Sequence, residues 1–133
     1  MSKRKIYLSG AMSGVDKADS KAWRYMLKQA LDEFKCFDPW DHFSFDDDDI
    51  DDVEAMEYDL WNLRNSDIVI VNFDYNPASL GTMSELAIAY DRRIPIIGVN
   101  ETFDELHPWQ TAFCTRVFAD MNDLVNYVKE HYT

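Results

Sequence analysis

The chain contains little cysteine, few basic residues and no long apolar run, and each shortage excludes a class of protein. Cys36 and Cys114 are the only cysteines among 133 residues, too few for a disulfide framework and too isolated for a zinc site. No apolar stretch approaches the length of a membrane span, and the one after residues 3–5 is too short for a secretory signal. We therefore expect a cytoplasmic protein without membrane association.

Glycine and proline are also scarce, with four of each, and they form no linker. There is no internal repeat, and the length favours one domain, residues 1–133, with a single core. Hydrophobic residues make up 47% of the chain and aromatic residues 14%, so we expect a folded rather than a disordered protein.

Acidic residues outnumber basic ones by 25 to 13, which gives a net charge of −12. A field of that sign repels a nucleic-acid backbone, so no nucleic acid polymer is expected as a partner, although a small nucleoside can still bind in a pocket. The densest acidic run, residues 46–52, is interpreted as a solvated loop and an acid-rich helix start. The alternative is a divalent-ion site in this run, although its residues do not have the spacing of an EF-hand loop. No metal or cofactor is predicted.

Short apolar segments alternate with segments of helical apolar spacing. The pattern predicts strands at residues 6–8, 36–37, 68–73, 94–99 and 117–118, helices at residues 20–34, 50–65, 82–91 and 122–131, and a loop at residues 39–49. The β-branched run at 68–73 is typical of a parallel strand buried on both faces. The alternation predicts an α/β fold with helices on both faces of a central, mostly parallel sheet.

Glu85 is notable because it follows a buried strand and a glycine-containing turn, near the predicted start of a helix. In open α/β sheets, ligands bind beyond the C-terminal ends of the strands, so a carboxylate there is placed to act as a nucleophile or general base. The alternative is a capping box, in which the Glu85 carboxylate bonds back to the backbone of Thr82. Spacing alone leaves both interpretations open.

Asp59 and Tyr7 are candidate partners for that glutamate. Asp59 lies at the edge of the apolar face of its predicted helix, where a carboxylate has to be paired or used because burying an unpaired charge is expensive. The alternative role for Asp59 is an ion pair with Arg64 or Arg92. Tyr7 lies near the C-terminal end of the first predicted strand, where its phenol either packs in the core or hydrogen-bonds a catalytic carboxylate.

Two turns of small residues follow two of the predicted strands. The first contains Ser9, Gly10 and Ser13, and the second contains Ser79 and Gly81. Glycine lets a ligand approach the backbone closely, although neither turn matches a dinucleotide-binding or P-loop pattern. Because turns beyond adjacent parallel strands face one crevice, these five residues are predicted to bind substrate.

The histidines are not spaced as metal ligands. The segment at residues 107–109 (His-Pro-Trp) is interpreted either as the end of a loop or as a pocket wall. His42 and His131 have no predicted role.

Three segments together resemble the nucleoside 2-deoxyribosyltransferase family. They are IYLSG at residues 6–10, the Asp-Leu pair at 59–60 ahead of SDIVIV at 66–71, and the pattern GTxxELxxA at 81–89. The resemblance extends from residue 6 to about residue 99. It implies a flavodoxin-like α/β fold and cleavage of the N-glycosidic bond of a 2′-deoxynucleoside.

The resemblance also implies roles for the candidate residues. The glutamate matching Glu85 attacks C1′ and forms a covalent deoxyribosyl-enzyme, the tyrosine matching Tyr7 orients it, and the aspartate matching Asp59 helps to protonate the leaving base. A second base, or water, then takes the sugar with net retention, as in retaining glycoside hydrolysis. The family usually completes its site with a residue of a neighbouring subunit, which implies a homo-oligomer.

Position 79 separates two activities within this resemblance. The transferases typically have an acidic residue where Ser79 stands, whereas the related 2′-deoxynucleoside 5′-monophosphate N-hydrolases use a serine there on the phosphate. Those hydrolases also have an arginine in the first glycine turn, which here reads Ala-Met-Ser at residues 11–13. We expect deoxyribosyl transfer, with monophosphate hydrolysis as the alternative and a non-catalytic nucleotide-binding or sensing protein as the alternative from another class.

Overall fold

The computed structural model describes residues 3–42 and 51–133, which contain a five-stranded parallel sheet. The strands are β1 (Lys5–Gly10), β2 (Lys35–Phe37), β3 (Ile68–Asn72), β4 (Ile96–Val99) and β5 (Arg116–Phe118). Their order is β2-β1-β3-β4-β5, and all four neighbouring pairs are parallel. This is the flavodoxin-like order, in which the winding direction changes between β1 and β3.

Within the described residues, five α-helices connect or follow the strands. They are α1 (Lys17–Ala30), α2 (Asp52–Arg64), α3 (Leu80–Asp91), α4 (Pro108–Phe113) and α5 (Met121–His131). Aspartate side chains cap three of them, because the carboxylates of Asp16, Asp51 and Asp120 each accept a backbone N–H of the first turn. Asp38 caps the short 3-10 helix Pro39–Asp41 in the same way.

The helices cover the two faces of the sheet as separate layers. On one face, Leu27 of α1 and Leu124 of α5 pack against Ile6, Leu8 and other inward residues of the strands. On the other face, α2 and α3 pack against the alternate strand positions, which include Tyr7, Val69 and Val71. Both faces of β3 are therefore buried, as the continuous apolar run predicted. The prediction of a flavodoxin-like three-layer fold is confirmed.

Several boundaries differ from the predicted ones. Helix α1 begins at Lys17 rather than residue 20, because Asp16 provides the cap that starts it. The predicted loop at 39–49 contains a 3-10 helix, and its residues 43–49 lie outside the described residues, together with most of the acidic run 46–52. The short helix α4 was not predicted, because its six residues carry no apolar periodicity.

Strand β1 continues two residues further than predicted, so Ser9 and Gly10 belong to the sheet and pair with Val71 and Asn72 of β3. This extension matters for the site, because Ser9 is held by the ladder rather than by a turn. Within residues 3–42 and 51–133, no helix has the length and apolar character needed to cross a membrane.

Candidate active site

Glu85 lies at the point where the sheet changes winding direction, and two hydroxyl groups of β1 hold its carboxylate. The Tyr7 hydroxyl donates a hydrogen bond to Oε2, and Ser9 Oγ donates to Oε1 at 2.9 Å. Glu85 stays partly exposed, whereas Tyr7 and Ser9 are fully buried. The carboxylate is thus oriented by two fixed donors.

The capping-box interpretation of Glu85 is wrong. Helix α3 begins at Leu80, with Ser79 as the N-cap, so Thr82 is already inside the helix and has no cap to provide. The Thr82 hydroxyl is buried and has no hydrogen-bond partner among the described residues. Glu85 therefore points to the sheet instead of back to the first turn of its helix.

Tyr7 both packs in the core and hydrogen-bonds Glu85, and its role in catalysis stays a prediction. Its ring is part of the core between the sheet and helices α2 and α3, and its hydroxyl reaches the carboxylate of Glu85. Burial, followed by the negative charge of Glu85, raises the pKa of the Tyr7 hydroxyl well above its usual range. Tyr7 therefore stays a neutral hydrogen-bond donor.

Asp59 lies on α2, beside the Tyr7–Glu85 pair, and the predicted alternative of an ion pair with Arg64 or Arg92 is wrong. Within the described part of the chain it makes no salt bridge, and its Oδ1 atom is buried without a hydrogen-bond partner. A buried carboxylate oxygen without a partner is costly, so it calls for a functional explanation. Chemically, this carboxyl group can accept a hydrogen bond or donate a proton.

Burial dominates the titration of both carboxyl groups. It raises the pKa of Glu85 to about 7, with the hydrogen bonds from Tyr7 and Ser9 opposing the rise and the charge of Asp59 adding to it. It also raises the pKa of Asp59 to about 6, against the pull of the positive charge of Arg24. Two carboxyl groups that titrate near neutral pH in one cleft are typical of acid–base and nucleophilic sites.

The two small-residue turns approach each other at the same edge of the sheet. Gly14 adopts φ +76°, which favours glycine, and a Cβ atom there would lie 3.5 Å from the Asn76 side chain in the loop after β3. Gly81 has open space where a Cβ would stand, and the side chain of Ser79 makes no capping hydrogen bond. Ser13 is exposed in the first turn.

Gly10 has a structural reason to be glycine. A Cβ atom there would come within 2.8 Å of the Trp23 ring and 3.3 Å of the Asn72 carbonyl oxygen. The close approach is made by helix α1 of the same chain. A substrate contact of Gly10 through its backbone remains a prediction.

Comparison with known proteins assigns the chain to a family. The sequence profile described as nucleoside 2-deoxyribosyltransferase matches residues 6–129, nearly the whole chain. The chain belongs to the nucleoside 2-deoxyribosyltransferase family. Among curated proteins, none matches its sequence significantly.

Solved structures show the same fold at low identity. A 2-deoxyribosyltransferase from Bacillus psychrosaccharolyticus aligns with a TM-score of 0.78 and 21% identity over 92% of this chain and 91% of that one. A conserved protein from Enterococcus faecalis V583 aligns with a TM-score of 0.81 and 18% identity over 97% of this chain and 99% of that one. The CMP N-glycosidase BcmB from Clostridium botulinum aligns with a TM-score of 0.63 and 15% identity over 96% of this chain and 99% of that one. The family therefore includes glycosyl-transferring enzymes, and its fold is shared with an N-glycosidase.

Sequence reasoning missed one charged residue of this deoxyribosyltransferase-family site. Arg24 of α1 is fully buried, and its positive charge acts on both Glu85 and Asp59. The available signal was its position next to Trp23 and three residues before Leu27, on the apolar stripe of the helix. A charged residue on such a stripe has to be paired inside the protein.

His42 and His107 both have contacts that the sequence did not indicate. The ring of His42 stacks on Phe37 at 4.9 Å, and Phe37 stacks in turn on Tyr7 at 5.3 Å, so an aromatic column leads from the site to the 3-10 helix. His107 caps α4 in a capping box with Gln110. His107 also lines an open groove of about 320 Å³ beside α3, so both predicted roles of this segment are present.

Proposed function

We propose that this protein cleaves the N-glycosidic bond of a 2′-deoxynucleoside and transfers the deoxyribosyl group to a second nucleobase. One observation carries the proposal: the carboxylate of Glu85 is held by the Tyr7 and Ser9 hydroxyls beside a buried, unpartnered oxygen of Asp59. A nucleophile fixed by hydrogen bonds and a second carboxyl group with a raised pKa are what a retaining glycosyl transfer requires. Membership of the family supports the same reaction class.

In the first step, a Glu85 oxygen forms a bond to C1′ while the C1′–N bond breaks and its electron pair goes to the nucleobase. Asp59 donates a proton to the departing base, which prevents a poor leaving group from accumulating negative charge. In the second step, a new nucleobase attacks C1′, Glu85 leaves as a carboxylate, and Asp59 takes the proton from the attacking nitrogen. Two inversions at C1′ give net retention.

In the unliganded protein, burial raises the pKa of both carboxyl groups, and the proposed roles require Asp59 to keep its proton while Glu85 is ionised. Substrate binding acts on both groups in the required direction. A nucleobase against Asp59 removes water from its open side and raises the pKa of that carboxyl further. Positive charge developing at C1′ favours the ionised form of Glu85.

The pH dependence of kcat/KM is expected to be bell-shaped, with its maximum between about 6 and about 7. Falling pH protonates Glu85 and removes the nucleophile, whereas rising pH ionises Asp59 and removes the proton donor. The two apparent pKa values belong to the coupled pair rather than to either residue. Initial rates with a deoxynucleoside from acidic to alkaline pH measure the profile. A rate that rises steadily through neutral pH would contradict the assignment of Asp59 as the acid.

Hydrolysis of a 2′-deoxynucleoside 5′-monophosphate is the second candidate, and the start of α3 favours it. Ser79 makes no capping hydrogen bond, and Gly81 leaves open space beside the first turn of this helix. A helix N-terminus with free N–H groups and a hydroxyl suits a phosphate. Arg24 does not supply the missing arginine of the first turn, because it is fully buried beneath that turn. We therefore keep transfer as the first choice.

Substitution of Ser79 by aspartate is expected to separate the two candidates. If the protein hydrolyses monophosphates, a carboxylate at position 79 repels the phosphate and kcat/KM for the monophosphate falls by about 100-fold or more, with the unphosphorylated nucleoside little changed. If it is a transferase, the wild type prefers the nucleoside, and Ser79→Asp leaves that preference in place. Chromatography of reactions with deoxynucleosides and their monophosphates, each with and without a free base, gives the measurement.

Ser84→Asp provides the matched control, because Ser84 is exposed on the same helix and, in the part of the chain that the structure describes, its hydroxyl donates only to the carbonyl of Leu80. It adds the same charge away from the first turn and should leave both substrates unchanged. Wild-type protein that releases only deoxyribose 5-phosphate and base, whatever acceptor is present, would overturn transfer. No turnover of any deoxynucleoside or monophosphate would overturn both candidates.

The oligomeric state and the location of the protein are also part of its proposed function. We infer a homo-oligomer in the cytoplasm, acting on small deoxynucleosides or deoxynucleotides. The exposed face of α2 supports an oligomer, because Val53, Met56 and Trp61 are each more than half exposed there.

A further inference from the structure

Arg24 is a fully buried cation directly behind the end of β1, and its guanidinium donates hydrogen bonds mainly to backbone carbonyl oxygens. Nη2 donates to the carbonyl oxygen of Gly10 at 2.9 Å, and Nη1 donates to Ser20 Oγ at 2.8 Å and to the Ser20 carbonyl oxygen at 3.3 Å. The plane of the guanidinium lies over the Trp23 ring at 4.5 Å. These contacts hold the group in one orientation.

The same cluster fixes the next carbonyl of the chain. Ser20 Oγ donates to the carbonyl oxygen of Ala11 at 3.0 Å, and Trp40 Nε1 donates to Ser20 Oγ at 3.0 Å. Arg24 and Ser20 together therefore hold the two consecutive carbonyl groups at which β1 leaves the sheet. Ser9, which donates to Glu85, is the residue immediately before them.

Neutralising an aspartate does not explain this arrangement. An arginine whose role is to pair with a carboxylate usually binds it with two parallel hydrogen bonds. Here Nε approaches Asp38 Oδ1 only to 3.5 Å and has no hydrogen-bond partner among the described residues. Asp38 also contacts Lys28 at 3.0 Å, and Lys28 contacts Asp41 at 2.9 Å, so Arg24 is one of two cations beside Asp38.

The positive charge of Arg24 acts on both carboxyl groups of the site. Tyr7 and Ser9 of β1, Asp59 of α2 and Arg24 of α1 are the groups that act on the Glu85 carboxyl. Arg24 is the one cation among them, and it lowers the pKa of both Glu85 and Asp59. An arginine side chain cannot lose its proton inside a protein, so this positive charge is permanent.

We propose that Arg24 is a positioning residue of the Glu85 site: it fixes the end of β1 through the Gly10 carbonyl, so that Ser9 stays in place to donate to Glu85, and it places a permanent positive charge behind the site. The inference rests on the proposed role of Glu85. According to this inference, Arg24 orders the surroundings of the nucleophile from the side of helix α1 and does not itself touch the substrate.

The test compares Arg24→Met, which removes the charge, with Arg24→Lys, which keeps the charge but cannot hold Gly10 and Ser20 together. The titration of Glu85 is followed by NMR of protein labelled at the glutamate side-chain carboxyl carbon, and its signal is assigned with Glu85→Gln. Lys28→Met is the matched control, because Lys28 lies one turn further along α1 and also contacts Asp38. It makes the same change of charge without touching Gly10.

In Arg24→Met, the titration midpoint of Glu85 should rise by about one pH unit, and the acid limb of kcat/KM should move with it. In Arg24→Lys, the midpoint should stay near that of the wild type while kcat falls about tenfold, because the lost backbone contact loosens the donor Ser9. Lys28→Met should leave both the midpoint and the acid limb in place.

A folded Arg24→Met with an unchanged Glu85 midpoint would overturn the electrostatic part of the inference. If Arg24→Met does not fold, Arg24→Lys decides, and wild-type turnover in that variant would overturn the positioning role. The titration needs no substrate, so wild-type protein without glycosidic activity would remove the proposed function and leave the effect of Arg24 on Glu85 still measurable.

Discussion

Replacing Glu85 by alanine is expected to lower kcat by about four orders of magnitude or more, whereas substrate affinity should change far less. The reason is that the side chain forms the bond to C1′ in the first step, and neither Tyr7 nor Ser9 can replace a carboxylate as nucleophile. Single-turnover cleavage followed by chromatography gives the rate, and calorimetry on the inactive variant gives the affinity.

A covalent intermediate gives a second measurement on the same residue. Wild-type protein quenched during turnover should carry a deoxyribosyl adduct detectable by mass spectrometry, with the modified peptide containing Glu85, and Glu85→Ala should carry none. Ser84→Ala is the control, because Ser84 is the exposed neighbour on α3. Turnover of Glu85→Ala near that of the wild type would show that the carboxylate is not the nucleophile.

The layers and the order of most elements were predictable because most of the strands and longer helices carry their apolar residues in a regular pattern. Strand β3 is apolar at every position, which indicated burial on both faces and hence a parallel sheet. Helix α1 showed a stripe at helical spacing, and Leu27 and Leu31 on it are fully buried. The boundaries were less accurate, because the Asp16 cap and the continuation of β1 through Gly10 depend on contacts outside the repeating pattern.

The three residues expected to carry the chemistry do lie together, and the resemblance to the family identified them better than their spacing did. For Glu85, spacing alone left a capping box open, since four consecutive residues cannot show where a helix begins. For Asp59, it left an ion pair open, since no sequence pattern reveals an unpartnered oxygen. Arg24 was missed because two of its three hydrogen bonds among the described residues go to backbone carbonyls, which every sequence contains.

Replacing Asp59 by asparagine is expected to slow cleavage of ordinary deoxynucleosides by about 100-fold to 10,000-fold, the usual contribution of a general acid. Asparagine is nearly isosteric, so it keeps the shape of the pocket while removing the proton that the departing base needs. An activated substrate, whose leaving group departs as a stable anion, should be slowed much less. Removing the acid should also abolish the alkaline limb of the pH profile, because no proton donor is then lost as the pH rises.

Glu57→Gln is the matched control for Asp59→Asn, because Glu57 lies two residues away on the same helix and is exposed. It removes one carboxylate from α2 without changing the cleft, so rates and pH profile should stay at wild-type values. The two substrate classes decide between the roles of Asp59. If Asp59→Asn slows activated and ordinary substrates equally, Asp59 acts by binding or by structure, and the proton must come from elsewhere. Selective slowing of the ordinary substrates places the proton transfer at the carboxyl group that the fold leaves buried and unpartnered.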